Sequence, residues 1–340
     1  MQIIKERSVS DIYPRDMVGY GRNPPHPKWP NGARIAVQFV IIYEEGAENN
    51  ILHGDSGSES LLTEFGFVPS REGERYLPVE SQYEYGTRVG FWRLHRLFTT
   101  HNVPITVFGV AMALSRNPDA VAAIQEADWE IASHGYRWID HHGMAEAEER
   151  EHIRKTIEMH TEVTGTRPLG HFFGRRSENT LRLIAEEGGF EYSQDSYADE
   201  LPYWLAEGGK QQLVIPYTAD INDHRFTTTP GFNWGEPFFA YLRDSFDVLY
   251  EEGAQAPRLM NIGLHCRLVG RPGRFKRSSG LSSMSRAMTM SGSAEGSMLR
   301  GIGGRSFRRQ PKAAPKLQAP VPQRGTGAWG DGANQARESA

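Results

Sequence analysis

The chain has 340 residues, 38% hydrophobic and 24% charged, enough apolar material for one large α/β domain or two small ones. No run of about 18 apolar residues exists for a membrane span, and Met1 to Arg7 lacks the apolar stretch of a secretory signal, so a cytoplasmic chain without a membrane partner is expected. The formal charge of −4 gives no reason to expect a nucleic-acid partner, and the single cysteine, Cys266, excludes an intrachain disulfide and a Cys-rich zinc site.

Residues 1–30 are punctuated by proline (Tyr13-Pro14, then Asn23-Pro24-Pro25-His26-Pro27) and read as an irregular arm. Arg34 to Tyr43 is a β-rich run of the kind buried on both faces of a parallel sheet, and it ends in Glu44-Glu45-Gly46. From Glu48 to Pro78 no period is sustained, which predicts a long excursion over one rim of the domain. Phe91 to Phe98 has helical spacing, with His95 as a packing or surface residue. Val103 to Val110 is a second buried strand, and Asn117-Pro118 opens a helix through Val121 and Ile124. Trp129 to Ala132 is a strand that delivers His134. The helix predicted over Ala145 to Val163 is stopped by Gly165, and its His152 and His160 are read as part of a solvated face.

The alternation continues. Arg167 to Gly174 is a strand and turn, and Ser177-Glu178-Asn179 opens a helix ending at Gly188-Gly189. Phe190 to Ser193 leads to Asp195, Leu213 to Ile215 to Pro216, and a helix spans Phe238 to Glu251. Arg258 to Leu264 leads to His265. Strand and helix in alternation imply parallel strands with covering helices, as an open sheet or a barrel, and functional groups at the carboxyl ends of the strands. Glu44, Glu45, His134, Arg175, Asp195 and His265 all fall at such ends. Cys266 follows His265 directly, and strand neighbours face opposite ways, so it reads as a buried thiol rather than a nucleophile. No Gly-x-Ser-x-Gly string is present for serine hydrolase chemistry.

After Arg274 the pattern collapses into Ser, Gly, Met, Arg, Ala and Pro. Residues 1–274 carry −12 and residues 275–340 carry +8. The segment 275–340 therefore reads as a disordered basic tail, and the change in mid-motif suggests a frameshift product. The domain expected to carry the chemistry is 31–274.

Several of these strings, in this order, resemble the polysaccharide-deacetylase superfamily and, within it, the branch of cofactor-independent allantoinases. They are Tyr13-Pro-Arg-Asp-Met, Glu44-Glu45-Gly46, Ser133-His134-Gly135-Tyr136-Arg137-Trp138, Gly174-Arg175 with Ser177-Glu178-Asn179-Thr180, Asp195 to Asp199, and Gly263-Leu264-His265-Cys266-Arg267. The resemblance implies a distorted (β/α) barrel, incomplete at its C-terminal end if residues after 274 are foreign, which would leave strand edges unpaired. It also implies hydrolysis of allantoin to allantoate as the small-molecule reaction, no cofactor, and a homo-oligomer.

In the deacetylases of this superfamily an Asp pair ends the first strand, and two histidines four residues apart complete a metal site. Here the pair is Glu44-Glu45 and the second histidine is Trp138, whose indole offers only a donor. His141 and His142 are the nearby substitutes to weigh, but no metal is expected. Gly170 falls where the deacetylases have an arginine, and Arg175 is the candidate replacement; His171 and Arg176 depart from the allantoinase pattern. The resemblance makes His265 the general acid and Asp195 the holder of a basic partner.

The expected catalytic set is thus Glu44 or Glu45 as base and His134 or His265 as acid, the base raised toward neutral pKa by burial among Tyr43, Trp138 and Phe173. Trp138, Arg175, Asp195 and Tyr43 are the expected substrate-binding residues. Two other readings stand beside this one: a metal-dependent polysaccharide or amide deacetylase, and an inactive truncated paralogue.

Overall fold

Ile35–Tyr43 form β1, the strand around which the sheet is built, and all nine residues are buried. The computed structural model describes residues 15–66 and 68–278. In it β1 pairs in parallel with β2 (Ile105–Gly109) on one side and β8 (Arg258–His265) on the other. Beyond β2 follow β3 (Glu130–Ser133), β4 (Gly170–His171) and β5 (Tyr192–Ser193). The hairpin of β7 (Lys210–Val214) and β6 (Tyr203–Glu207) completes an eight-stranded sheet of order β6-β7-β5-β4-β3-β2-β1-β8. Only the β6–β7 pairing is antiparallel.

Strand periodicity sorts the side chains. Alternate residues Ala36, Val40 and Ile42 face the inside of the curled sheet with Phe108, Phe172 and Tyr217, while Ile35, Val37, Phe39 and Ile41 pack against covering helices. Those helices include α2 (Phe91–Thr100), α4 (Pro118–Glu126) and α7 (Gly235–Glu252), which bury Leu94, Ile124 and Leu242. A polar belt crosses the interior: Gln194 Nε2 donates to Gln38 Oε1 at 2.8 Å, Gln38 Nε2 to Thr106 at 3.0 Å, and Asn261 Nδ2 to the Pro216 carbonyl at 2.6 Å. The sheet is thus a distorted half-barrel, the fold class the sequence leads one to expect.

The sheet curls until its two ends approach. The Leu259 amide of β8 donates to the carbonyl of Glu200, just ahead of β6, and the Asn261 amide donates to Thr218. Farther along, Gly263 bridges to Asn222 and the His265 amide donates to Asp223. The strand edge that the sequence reading left open is therefore covered within the described residues.

Several elements depart from expectation. The helix α1 (Leu77–Tyr85) begins inside the segment read as a loop, because its buried side is mixed: Val79 and Tyr83 beside Gln82, whose Oε1 accepts from the Glu64 amide. Strand β6 was passed over, although Gly208 and Gly209, both at positive φ, make a two-residue hairpin turn. His160, read as solvated, is buried on α5 (Glu146–Thr164), with Nδ1 near the Thr166 carbonyl and Thr164. The segment expected to be disordered from 275 begins in helix α8 (Pro272–Ser278); the rest of it, and the proposed frameshift, lie outside the described residues. Among the described residues no helix is long and apolar enough to cross a membrane.

The excursion after β1 is held by side chains. Arg137 donates to Asp55 Oδ1 at 2.7 Å and to the Glu48 carbonyl at 2.9 Å, and Glu59 accepts from the Ser60 and Leu61 amides and from Asn49. Glu48 is buried at its base and accepts from the Gly46 amide at 2.7 Å. Burial pushes its carboxyl from 4.5 to about 7. The folded state thus holds the proton more tightly than the unfolded chain, and this site weakens folding as pH rises from 4.5 toward 7, fully so above.

Two stability measurements follow from this packing. Glu48→Gln keeps the acceptor for Gly46 and removes the buried charge, so it should be more stable than the parent at pH 8.5, on the order of 1–3 kcal/mol, and gain little near pH 5; thermal melts at the two values compare them. A Cβ at Gly170 would land in the Tyr192 ring. Gly170→Ala should cost roughly 1–3 kcal/mol by urea unfolding. Gly273→Ala, where the methyl meets open space, should stay within about 0.5 kcal/mol.

Candidate functional site

The β1–β8 register pairs Ile42 with His265, and two residues farther along it sets Glu44 beside Arg267 at the carboxyl end of the sheet. Glu44 is fully buried. Its Oε1 lies 2.7 Å from Arg267 Nη1 and 3.4 Å from His265 Nε2, and its Oε2 lies 3.5 Å from His134 Nε2. Burial by itself would raise this carboxyl, but Arg267, His265 and His134 together outweigh it and hold it well below the usual carboxylate range.

Both histidines are oriented from behind. His265 Nδ1 lies 2.6 Å from Asp223 Oδ1, and the same carboxylate accepts from the His265 and Val269 amides at about 3 Å. His134 Nδ1 meets the Phe172 carbonyl, which can only accept, so that nitrogen carries the hydrogen. Its ring stacks on Phe172 with centroids 5.4 Å apart and planes 3° from parallel. Each ring is left with Nε2 directed at Glu44.

Asp195 fixes the strap between these parts. Its carboxylate accepts from the Phe173 amide at 2.9 and 3.0 Å and from the Gly174 amide at 2.8 Å, with His171 Nδ1 at 3.3 Å. That holds the Phe172 carbonyl in place for His134. These bonds keep the Asp195 carboxyl ionised against a burial that opposes it.

Over the carboxylate lies an aromatic and cationic layer. The Arg267 guanidinium sits 4.1 Å from the Tyr83 ring centroid and 5.4 Å from that of Trp138, and the Arg175 guanidinium lies 4.7 Å from Trp138. Trp138 is thus flanked by two guanidinium groups. Arg175 Nη1 lies 3.8 Å from Glu59 of the excursion, and Arg267 Nε donates to the Leu62 carbonyl at 3.2 Å.

The structure brings Glu44, His134 and His265 together and places Trp138 and Arg175 beside them. Of the other three expected residues, Glu45 reaches Arg267 from the far side, its Oε1 3.6 Å from Nη1, and Tyr43 and Asp195 make other contacts. Tyr43 points the opposite way from Glu44, bonds Thr87 and packs edge-on to Phe91 at 5.4 Å, because strand neighbours alternate. Glu45 likewise lies against Gly86, where a Cβ would collide with its carboxyl, and its Oε1 accepts from the Arg267 amide at 3.2 Å. Burial raises Glu45 to about 7, so the expected upward shift falls on the carboxyl facing away from the histidines. Asp195 holds the backbone amides of Phe173 and Gly174.

Two residues at the site were assigned no role by sequence reasoning. Arg267 stood in a quoted string, and its importance needed only the β1–β8 register. Asp223 opens the short 3-10 helix Asp223–Phe226, a segment with no periodic or motif signal.

The donor set does not fit the divalent ion of the deacetylases. Among the described residues no three His, Cys, Asp or Glu side chains gather as a ligand group, and a guanidinium already contacts the carboxylate one would use. His141 is engaged by Glu149 at 3.2 Å and His142 is exposed. At Gly170, the Tyr192 ring fills the space an arginine would need.

Comparison with known proteins agrees with this architecture. A family model described as polysaccharide deacetylase matches residues 78–192. A Schizosaccharomyces pombe protein described as a "Putative polysaccharide deacetylase" is 41% identical over 281 residues, 77% of this chain and 88% of the relative. Two crystal structures, "Puue Allantoinase" and a "probable Polysaccharide deacetylase" from Pseudomonas aeruginosa PAO1, are each 52% identical with TM-score 0.83, covering 85% of this chain and 97% of theirs. With the curled parallel sheet and the carboxylate–histidine cluster at its carboxyl edge, a relative 41% identical over most of both chains makes this protein a member of the polysaccharide-deacetylase family of hydrolases.

Proposed function

We propose that the chain hydrolyses a cyclic amide, opening the hydantoin ring of allantoin to give allantoate, and does so without a metal. One observation carries this reading: the positive charge beside Glu44 is the Arg267 guanidinium, which packs against Trp138. Two equally similar solved structures carry different names, one for allantoin hydrolysis and one for deacetylation, so the names alone do not choose.

The chemistry needs an acceptor for a proton of water, a donor to the developing oxyanion and an acid for the departing ring nitrogen. His265, held at Nδ1 by Asp223 at 2.6 Å and with Nε2 facing the site 3.4 Å from Glu44, is assigned the acid. His134, whose Nδ1 is committed to the Phe172 carbonyl, presents Nε2 beside Glu44. Water placed between His134 Nε2 and Glu44 gives up a proton there as its oxygen adds to the ring carbonyl. Collapse of the tetrahedral intermediate breaks the C–N bond while His265 protonates the nitrogen. Glu44 stays ionised throughout and orders both rings. Arg175 and Trp138 bound the substrate on the side of the excursion.

The test is an allantoin hydrolysis assay on the full chain, with and without chelator. Turnover unaffected by chelation is expected, with no release of acetate from N-acetylated sugars. Loss on chelation and recovery with zinc would instead mark a metal-dependent deacetylase, and no turnover on either substrate would mark an inactive paralogue. Single replacements His134→Asn, His265→Asn and Glu44→Gln should each lower kcat/KM by about 10²-fold or more. Glu45→Gln should act far less, since its carboxyl faces away; parity of Glu45→Gln with Glu44→Gln would reverse the assignment.

A further inference from the structure

We propose that Arg267 is a catalytic residue, the fixed cation that receives the carbonyl oxygen of the scissile amide, and that with Glu44 it selects amides whose N–H and C=O lie on one edge, cyclic ureides over N-acetyl groups. This rests on the ring-opening reading.

Arg267 is 1% exposed, yet neither Nη1 nor Nη2 has a hydrogen-bond partner, and neither oxygen of Glu44 has one. Their 2.7 Å ion pair uses Nη1, which also lies 3.6 Å from Glu45 Oε1, so Nη2 and the remaining lone pairs of Glu44 are the donor and acceptor capacity left side by side for a ligand. Buried groups of this kind are built for a ligand or carry a desolvation penalty for nothing. The guanidinium cannot turn elsewhere, because Nε is bound to the Leu62 carbonyl and its plane is packed against Tyr83 and Trp138.

A neighbouring acceptor and donor complement one N–H and one C=O presented together. A ring amide has both on the same edge. An acetamido group is trans, with N–H and C=O on opposite edges, and its cis form is rare, so it satisfies only one of the two. During reaction the water oxygen adds to the carbonyl carbon and the π pair moves to the carbonyl oxygen, where the Nη groups meet the new charge. Arg267 forms no covalent bond and keeps its protons. Since charge grows on that oxygen only toward the transition state, the cation contributes chiefly to kcat.

The full chain is compared with Arg267→Ala and Arg267→Lys on allantoin and hydantoin. Arg267→Ala should lose about 10²–10³-fold in kcat, with a smaller change in KM, and millimolar guanidinium ion should restore about tenfold where methylammonium does not. Should circular dichroism show Arg267→Ala unfolded, Arg267→Lys serves: kcat still falls, and the parent's preference for hydantoin over N-methylacetamide as an inhibitor is lost. A folded variant with kcat within about threefold of the parent, or with that preference intact, overturns the proposal. The two readings separate cleanly. A parent that opens allantoin while Arg267→Ala matches it removes only Arg267. A parent that opens no ring amide removes the ring-opening reading and the catalytic role together.

Discussion

A carboxylate without access to water is costly, several kcal/mol even after relaxation, and Glu44 is such a group. Its ionised form persists because Arg267, His265 and His134 converge on it from the ends of two other strands, β8 and β3. The dependence runs outward from that pair. Arg267 needs the Tyr83 and Trp138 rings and the Leu62 carbonyl, so the excursion, α1 and the loop after β3 are tied to one ion pair. Removing one member would leave the other charged and buried, which is why a single substitution here acts on fold and chemistry together.

A second pair of acids repeats one device. Asp223 and Asp195 each accept backbone amides at the end of a strand, and each also lies beside a histidine Nδ1. For Asp223 the histidine is His265 itself. Asp195 acts at one remove, holding the strap whose Phe172 carbonyl fixes the His134 hydrogen. Orientation through the nitrogen that does not face the reaction is the same logic that outer groups apply to metal-bound histidines. Both rings are therefore oriented before substrate arrives.

The family relationship and the local chemistry point to different aspects of the molecule. Polysaccharide-deacetylase architecture accounts for the curled sheet and for acids and histidines at its carboxyl edge. The immediate surroundings of Glu44 include two groups that cannot ligate a metal. Trp138 supplies no ligand, and Arg267 brings a charge that a divalent ion would repel.

The sequence by itself determined the order of strands and helices, the buried character of β1 and β8, and the strand ends that carry Glu44, His134 and His265. Those are local properties, set by hydrophobic period and by turn residues. It also placed Trp138 where a ligand was missing. Only the tertiary structure decided which glutamate turns toward the histidines, because the parity of a strand end depends on which face the sheet encloses. It likewise decided that Tyr43 and Glu45 lie on the helix side, that His160 is buried, and that Asp223 and Arg267 belong to the site. Arg267 is 223 residues from Glu44, and nothing local records a contact that arises from the parallel register of β1 on β8.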